Sequence, residues 1–254
     1  MTMQEQEVEE FFNKIATDYK SKYTSADAFR HYFFNERLYE AARGFDFSNK
    51  KILDIGAGTG NLYDYLSGLE PTIDYYASDI AANMLEQSGI APNRRFVGNC
   101  YEIDFPQKQF DYIFMLGVTT YLTEQEIAKT FDFIHSSLAQ NGKAIITFTN
   151  QSSLDWKTRK LTKSLLKGFS QKSVLSQDFQ IYPKTLAETE KQIQSQFRID
   201  EVRWLNHTIF PFCLALKKIS VKVAEKIHQK IKNQSLKNLL SSDFLVVLSK
   251  INEL

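Results

Sequence analysis

The sequence predicts an α/β fold with a doubly wound, mostly parallel sheet, and three stretches carry that prediction. Residues 51–62, KILDIGAGTGNL, read as a short buried strand, a glycine-rich turn and the first turn of a helix. A second strand over 73–78 ends at Asp79, about 20 residues past the glycines, where α/β folds place an acid for a ribose diol. Residues 110–116, FDYIFML, are mostly apolar, as a central parallel strand covered on both faces should be.

A chain of 254 residues with 43% apolar content can form one core of this kind. Its formal net charge of +1 gives no global electrostatic case for a nucleic-acid partner. Two cysteines, Cys100 and Cys213, make neither a disulfide framework nor a metal-ligand cluster, and both are expected reduced. The opening MTMQEQEVEE is acidic and polar, unlike a signal peptide, and no run of about 18 apolar residues exists to span a membrane. Cytoplasmic localisation is the expectation.

Taken in order, Val8, Phe11, Phe12, Ile15 and Tyr19 recur at three- and four-residue spacing and predict an amphipathic helix. Phe29, Phe33, Leu38 and Ala41 predict a second, ending near Gly44. Tyr19, Tyr23, Arg30 and His31 lie on or between them, as packing residues or as residues facing a ligand. The glycines that follow the first strand let the backbone pass close to a ligand at a helix N-terminus. That helix runs from Thr59 to about Gly68, and Pro71 breaks the chain after it. A short third strand over 95–97 ends at Gly98-Asn99-Cys100-Tyr101.

Thr123 and Glu126 form a capping box for a helix with Ile127, Phe131, Ile134 and Leu138 inward, ended by Asn141-Gly142. His135 beside that stripe reads as structural. Residues 144–149 make the fifth strand. Next, Trp156, Leu161, Leu165 and Leu166 interleave with Lys157, Arg159, Lys160, Lys163 and Lys167 as a basic amphipathic helix. A helix over 184–197, a strand over 197–204, a second basic helix over 217–240 and a closing strand over 243–251 complete the chain. The basic faces fit solvated surface, an anionic or carrier-bound substrate, or a membrane surface.

The glycine spacing discriminates between cofactors. In D-x-G-x-G-x-G at Asp54, Gly56, Gly58 and Gly60, the third glycine falls one residue earlier than in the dinucleotide fingerprint, and Asn61 takes the dehydrogenase position. This stretch resembles motif I of the class I S-adenosylmethionine-dependent methyltransferases of small molecules. Asp79-Ile80-Ala81-Ala82-Asn83-Met84-Leu85 resembles that family's D-I-S-x-x-M-L segment, and residues 110–116 resemble its motif IV strand. The resemblance implies a seven-stranded sheet of order 3-2-1-4-5-7-6, a lid of N-terminal helices, and helical insertions over the acceptor side. It also implies one methyltransferase domain over 1–254: a lid over 1–48, a cofactor core over 49–150, acceptor-side helices with the sixth strand over 151–242, and the last strand over 243–254.

S-adenosylmethionine is then the expected cofactor and S-adenosylhomocysteine the product. The resemblance places Asp54 at its methionine end, the loop of Gly56, Ala57, Gly58 and Gly60 around it, and Asp79 on its ribose. Ile80, Met84 and Leu116 would lie against it, with Tyr19 and Tyr23 facing it from the lid. Asn99-Cys100 stands where the family usually has an aspartate for the adenine amino group; an amide also accepts, without charge assistance. Leu116-Gly117-Val118-Thr119 replaces the tetrad with which DNA adenine methyltransferases hold a flipped base. The carboxylate that catechol-type enzymes use for Mg²⁺ is missing too, so no catalytic metal is implied. The expected reaction is in-line O-methylation of a small metabolite. The alternatives are N- or C-methylation of a peptide or carrier-bound acceptor, or a protein that binds the sulfonium without methylating. A nicotinamide oxidoreductase is disfavoured by Asn61. A protonated nucleophile needs a general base, for which His31, Tyr121 and His207 are the candidates.

Overall fold

The computed structural model describes residues 2–23, 26–166 and 180–251. Seven strands form one sheet in the order β3-β2-β1-β4-β5-β7-β6, as the resemblance implied. β1 (Lys51–Ile55), β2 (Asp74–Asp79), β3 (Arg95–Val97), β4 (Phe110–Met115) and β5 (Leu138–Thr149) run parallel. β7 (Asp243–Lys250) inserts antiparallel between β5 and β6 (Phe197–Leu205).

Side chains alternate along each strand, so the sheet buries two apolar layers. On one face Leu53, Ile113, Ile146 and Val246 pack under Ile127, Phe131 and Ile134 of α5 (Glu124–Ser137). On the other face Ile52, Phe114, Ile145 and Leu245 meet Leu38 of α2 (Ala28–Ala42) and Leu62 and Leu66 of α3 (Asn61–Leu69). His135 stacks edge-on against Phe197, in keeping with a structural residue.

α1 (Met3–Tyr19) roofs the carboxyl edge of the sheet. Its Phe12 and Tyr19 pack on Ala81 and on Met84 of α4 (Ala82–Glu86), and the Phe12 ring lies 5.4 Å from that of Tyr121. The backbone N–H of Asn83 donates to Asn13 Oδ1 at 2.9 Å, fixing α1 over α4. Capping boxes start α1 (Thr2, Glu5), α5 (Thr123, Glu126) and α7 (Leu186–Ile193; Thr185, Glu188).

Three expected boundaries differ. α5 ends at Ser137, and β5 already begins at Leu138, so Asn141-Gly142 is strand rather than helix cap. A Cβ at Gly142 would sit 2.9 Å from the Asp111 carbonyl oxygen, so the glycine allows a close approach to β4. The helix expected over 184–197 is only α7, because residues 194–196 turn into β6. The basic stretch 217–240 is two helices, α9 (Lys217–Lys230) and α10 (Gln234–Leu240), the second capped by the Asn233 side chain. The earlier basic helix is α6 (Leu154–Leu166); Lys167 lies outside the described residues. A one-turn helix, α8 (Phe212–Ala215), precedes α9. Part of the basic charge is paired within the fold, as in Arg159–Asp155 at 2.6 Å and Lys217–Asp27 at 2.5 Å. No helix among the described residues is long and apolar enough to cross a membrane.

Candidate active site

The ends of β1, β2 and β4 open into a cavity enclosing about 1140 Å³ of empty space, its mouth included. This is the crevice outside the strand carboxyl ends where α/β sheets bind ligands. The glycine loop forms its floor. Gly56 and Ala57 donate backbone N–H groups to the Ser78 carbonyl at 2.7 and 3.0 Å, tying the loop to β2. Gly56 adopts φ +71°, and a Cβ there would lie 2.2 Å from Val118 Cγ2; only glycine fits. Gly58, at φ +56°, donates its N–H to Asp79 Oδ2 at 2.8 Å. The other carboxylate oxygen of Asp79 accepts from the Ala81 N–H at 2.9 Å.

Asp54, at the end of β1, is 3% exposed and accepts a 2.6 Å hydrogen bond from the Tyr75 hydroxyl. Burial pushes its pKa up to about 7, the Tyr75 bond opposes this, and the Asp79 charge adds to it. Burial likewise raises Asp79 to about 6 against the pull of the Ala81, Gly58 and Ile80 N–H groups. Both acids on this wall thus titrate above the ordinary carboxylate range. Ser78, on the same wall, has a buried Oγ without a hydrogen-bond partner. Such a wall suits a ligand that carries positive charge and hydrogen-bond donors.

Asn99 lines the cavity on the β3 side. Its Nδ2 donates to Glu5 Oε1 and Glu102 Oε2, both at 3.2 Å, which fixes the amide orientation and turns Oδ1 to other donors. Cys100 is buried, and burial pushes its thiol up to about 12, so it is no nucleophile.

The roof is aromatic: Phe12, Tyr19, Tyr23 and Tyr121 face the cavity together with Arg37 of α2. Arg37 Nη2 lies 3.5 Å from Asp243 Oδ2, and its buried Nε has no hydrogen-bond partner. Burial raises the phenols of Tyr19, Tyr23 and Tyr121, so they stay protonated and cannot take a proton at neutral pH.

Of the residues expected around the cofactor, Asp54, Gly56, Ala57, Gly58, Asp79 and Ile80 line this cavity. So do Met84, Asn99, Cys100, Leu116 and Tyr19. Gly60 does not; it caps α3 and its α-carbon faces Ser88. Of the three expected bases only Tyr121 reaches the cavity. His31 is exposed on α2, and His207 is buried beyond the wall against Ser241, its pKa pulled down to about 3 by burial. Thr119 does not reach the cavity either, because its hydroxyl donates to the Thr147 carbonyl. Sequence reasoning missed Arg37 and Glu5; the capping box Thr2–Glu5 marked the latter, and no local pattern marked the former.

Solved structures share this architecture. Magnesium protoporphyrin IX methyltransferase from Synechocystis PCC 6803, with bound SAH, superposes with a TM-score of 0.62 at 13% identity over 96% of this chain and 98% of that one. A methyltransferase in complex with the Haloferax volcanii Trm112 activator gives 0.64 at 12% identity over 95% and 98%. Mitomycin 7-O-methyltransferase gives 0.54 at 14% identity over 85% of this chain and 53% of that one. A search of curated sequences finds no match. The fold is that of the class I S-adenosylmethionine-dependent methyltransferases. Residues 26–207 match the family described as "Methyltransferase domain", and the chain belongs to that family.

Proposed function

We propose that the chain, as one methyltransferase domain over 1–254, transfers a methyl group from S-adenosylmethionine to an oxygen of a small molecule. The observation that carries the reading is the glycine loop bonded to Asp79 beside buried Asp54 on one cavity wall. The residues fit the cofactor. Asp54 would hold its ammonium, and Asp79 would accept from its ribose diol. Asn99 Oδ1 would accept from its adenine amino group. When bound, the cofactor supplies a methyl on a positively charged sulfur, already a good leaving group.

The chain's task is then positioning and exclusion of water. α1 closes the cavity with Phe12 and Tyr19, which supports an acceptor small enough to be enclosed. Arg37, with its unpartnered Nε, favours an acceptor that carries an oxyanion, a carboxylate or phenolate. An oxyanion is already deprotonated and needs no general base. That agrees with phenols held protonated and with His31 and His207 outside the cavity.

Calorimetric titration with S-adenosylhomocysteine, with NAD⁺ run beside it, tests the cofactor. Binding of the first alone is expected; binding of NAD⁺ alone would overturn the reading. Methyl transfer from labelled cofactor to a panel of carboxylic acids, phenols and amines tests the acceptor. Turnover confined to amines would replace O- by N-methylation.

A further inference from the structure

Outside the cavity, α2, the turn after β6 and α9 converge on Glu36, His207 and His228. One ligating atom of each lies within 4.8 Å of the other two. His207 is 2% exposed; its Nδ1 lies 2.9 Å from Ser241 Oγ, and its buried Nε2 has no hydrogen-bond partner. His228 repeats the pattern. Its Nε2 lies 3.5 Å from Glu40 Oε1, while its Nδ1 is buried, makes no hydrogen bond and stands 3.7 Å from Glu36 Oε1. Glu36 is fixed as well: Oε1 accepts from the Tyr32 hydroxyl at 2.8 Å and Oε2 from the Asn206 N–H at 2.7 Å, which leaves lone pairs on both oxygens.

Two buried imidazole nitrogens left bare beside one carboxylate are costly unless something binds them. Each ring is held from behind, by a hydroxyl or a carboxylate, as metal-binding histidines are. We propose that Glu36, His207 and His228 bind one divalent transition-metal ion, zinc by its ligand set, as a structural clamp apart from the methyl-transfer cavity. Two imidazoles and a carboxylate suit zinc, whereas magnesium and calcium prefer oxygen alone. Ligands at about 2.0–2.1 Å in a tetrahedron stand about 3.3 Å apart, so the three close by no more than about 1.5 Å. His228, on the half-buried rim, would make that movement, and water would complete the fourth position. The clamp joins α9 to α2. Asn206, beside His207, donates to Asp243 at 2.7 Å, and Asp243 in turn pairs with Arg37 of the cavity.

The test uses the full chain, free of any affinity tag and treated with chelator. Zn²⁺ is titrated by calorimetry and Co²⁺ by visible absorbance. One equivalent of Zn²⁺ should bind with submicromolar affinity and raise the thermal midpoint, and Co²⁺ should show the absorbance of a four-coordinate nitrogen and oxygen site. His228→Ala and Glu36→Gln should each weaken Zn²⁺ at least about 100-fold. S-adenosylhomocysteine affinity, read in the same His228→Ala sample, should stay within about threefold, which keeps this test separate from that of the methyltransferase reading. Failure of the wild-type chain to bind Zn²⁺, or unchanged affinity in the variants, would overturn the site. An intense thiolate band with Co²⁺ would move the ion to a cysteine and overturn it too. Should His228→Ala fail to fold, Glu36→Gln and the wild-type cobalt spectrum decide.

Discussion

Gly58 donates its backbone N–H to Asp79 Oδ2 at 2.8 Å, so the glycine loop after β1 and the acid at the end of β2 form one rigid unit. The second oxygen of Asp79 is held by the Ala81 N–H, and what remains of its hydrogen-bonding capacity is directed to the cavity.

Asp79→Ala should weaken S-adenosylhomocysteine binding by about 1–3 kcal/mol, roughly 5- to 150-fold, because hydrogen-bonding groups on both sides lose their acceptor. Calorimetry reads this directly. An unchanged affinity would remove Asp79 from the site.

Gly58→Val forces a branched side chain into φ +56°, with its Cβ 3.3 Å from Met84 Cε. Cofactor binding should be lost while far-UV circular dichroism stays native, at a stability cost of about 1–3 kcal/mol. Retained binding would reduce the loop to a turn.

Glu36, raised by burial to about 7, and His207, lowered to about 3, act on the pH dependence in opposite directions, and Asp54 and Asp79 add to the first. Their folded pKa values, about 7 and about 6, lie above the ordinary 3.8, so the folded chain holds more protons than the unfolded one. Their favourable contribution is complete below the ordinary carboxylate value and is lost as pH rises through about 6 and 7. The ligand-free protein should therefore melt lower at about pH 8 than at about pH 5, and Asp54→Asn should flatten that slope. A cationic ligand favours ionised Asp54, so its binding should release protons and tighten over the same range. Melting curves and calorimetry in buffers of different ionisation enthalpy check both.

Arg37→Lys should keep cofactor affinity within about threefold but lower kcat/KM for an anionic acceptor about 10- to 100-fold, since an ammonium cannot reproduce the planar fork. Equal loss for neutral and anionic acceptors would show that Arg37 only holds Asp243.

Thr123→Ala removes one half of the capping box on α5, where Thr123 Oγ1 accepts from the Glu126 N–H at 3.3 Å. A loss of about 1 kcal/mol in chemical denaturation is expected, with cofactor binding unchanged.

The cofactor side was legible because its signals are local. A strand, three glycines and an acid after the next strand follow one another along the chain, and their order alone brings Asp54, Gly58 and Asp79 to one edge. The acceptor side was not, because its residues come from distant segments. Arg37 lies on the helical spacing of α2 like any surface arginine, and only the packing of β7 beneath it shows its burial. His31 and His207 were equal candidates in sequence. The structure turns one outward and seals the other behind Ser241. Asn141-Gly142 has the form of a helix stop, yet a glycine that admits a neighbouring carbonyl has the same form. The capping box at Thr185 was readable and marks the true start of α7.

The strand latest in sequence takes an interior place in the sheet, between β5 and β6. During synthesis, all the parallel strands exist before residues 243–250 do, and β6 then has no neighbour to pair with. A growing chain therefore carries two bare strand edges facing one another until β7 arrives. Cutting the chain within β7 would not trim a border but split the sheet in two. The half-made protein should depend on chaperones or aggregate, while the finished one presents neither edge.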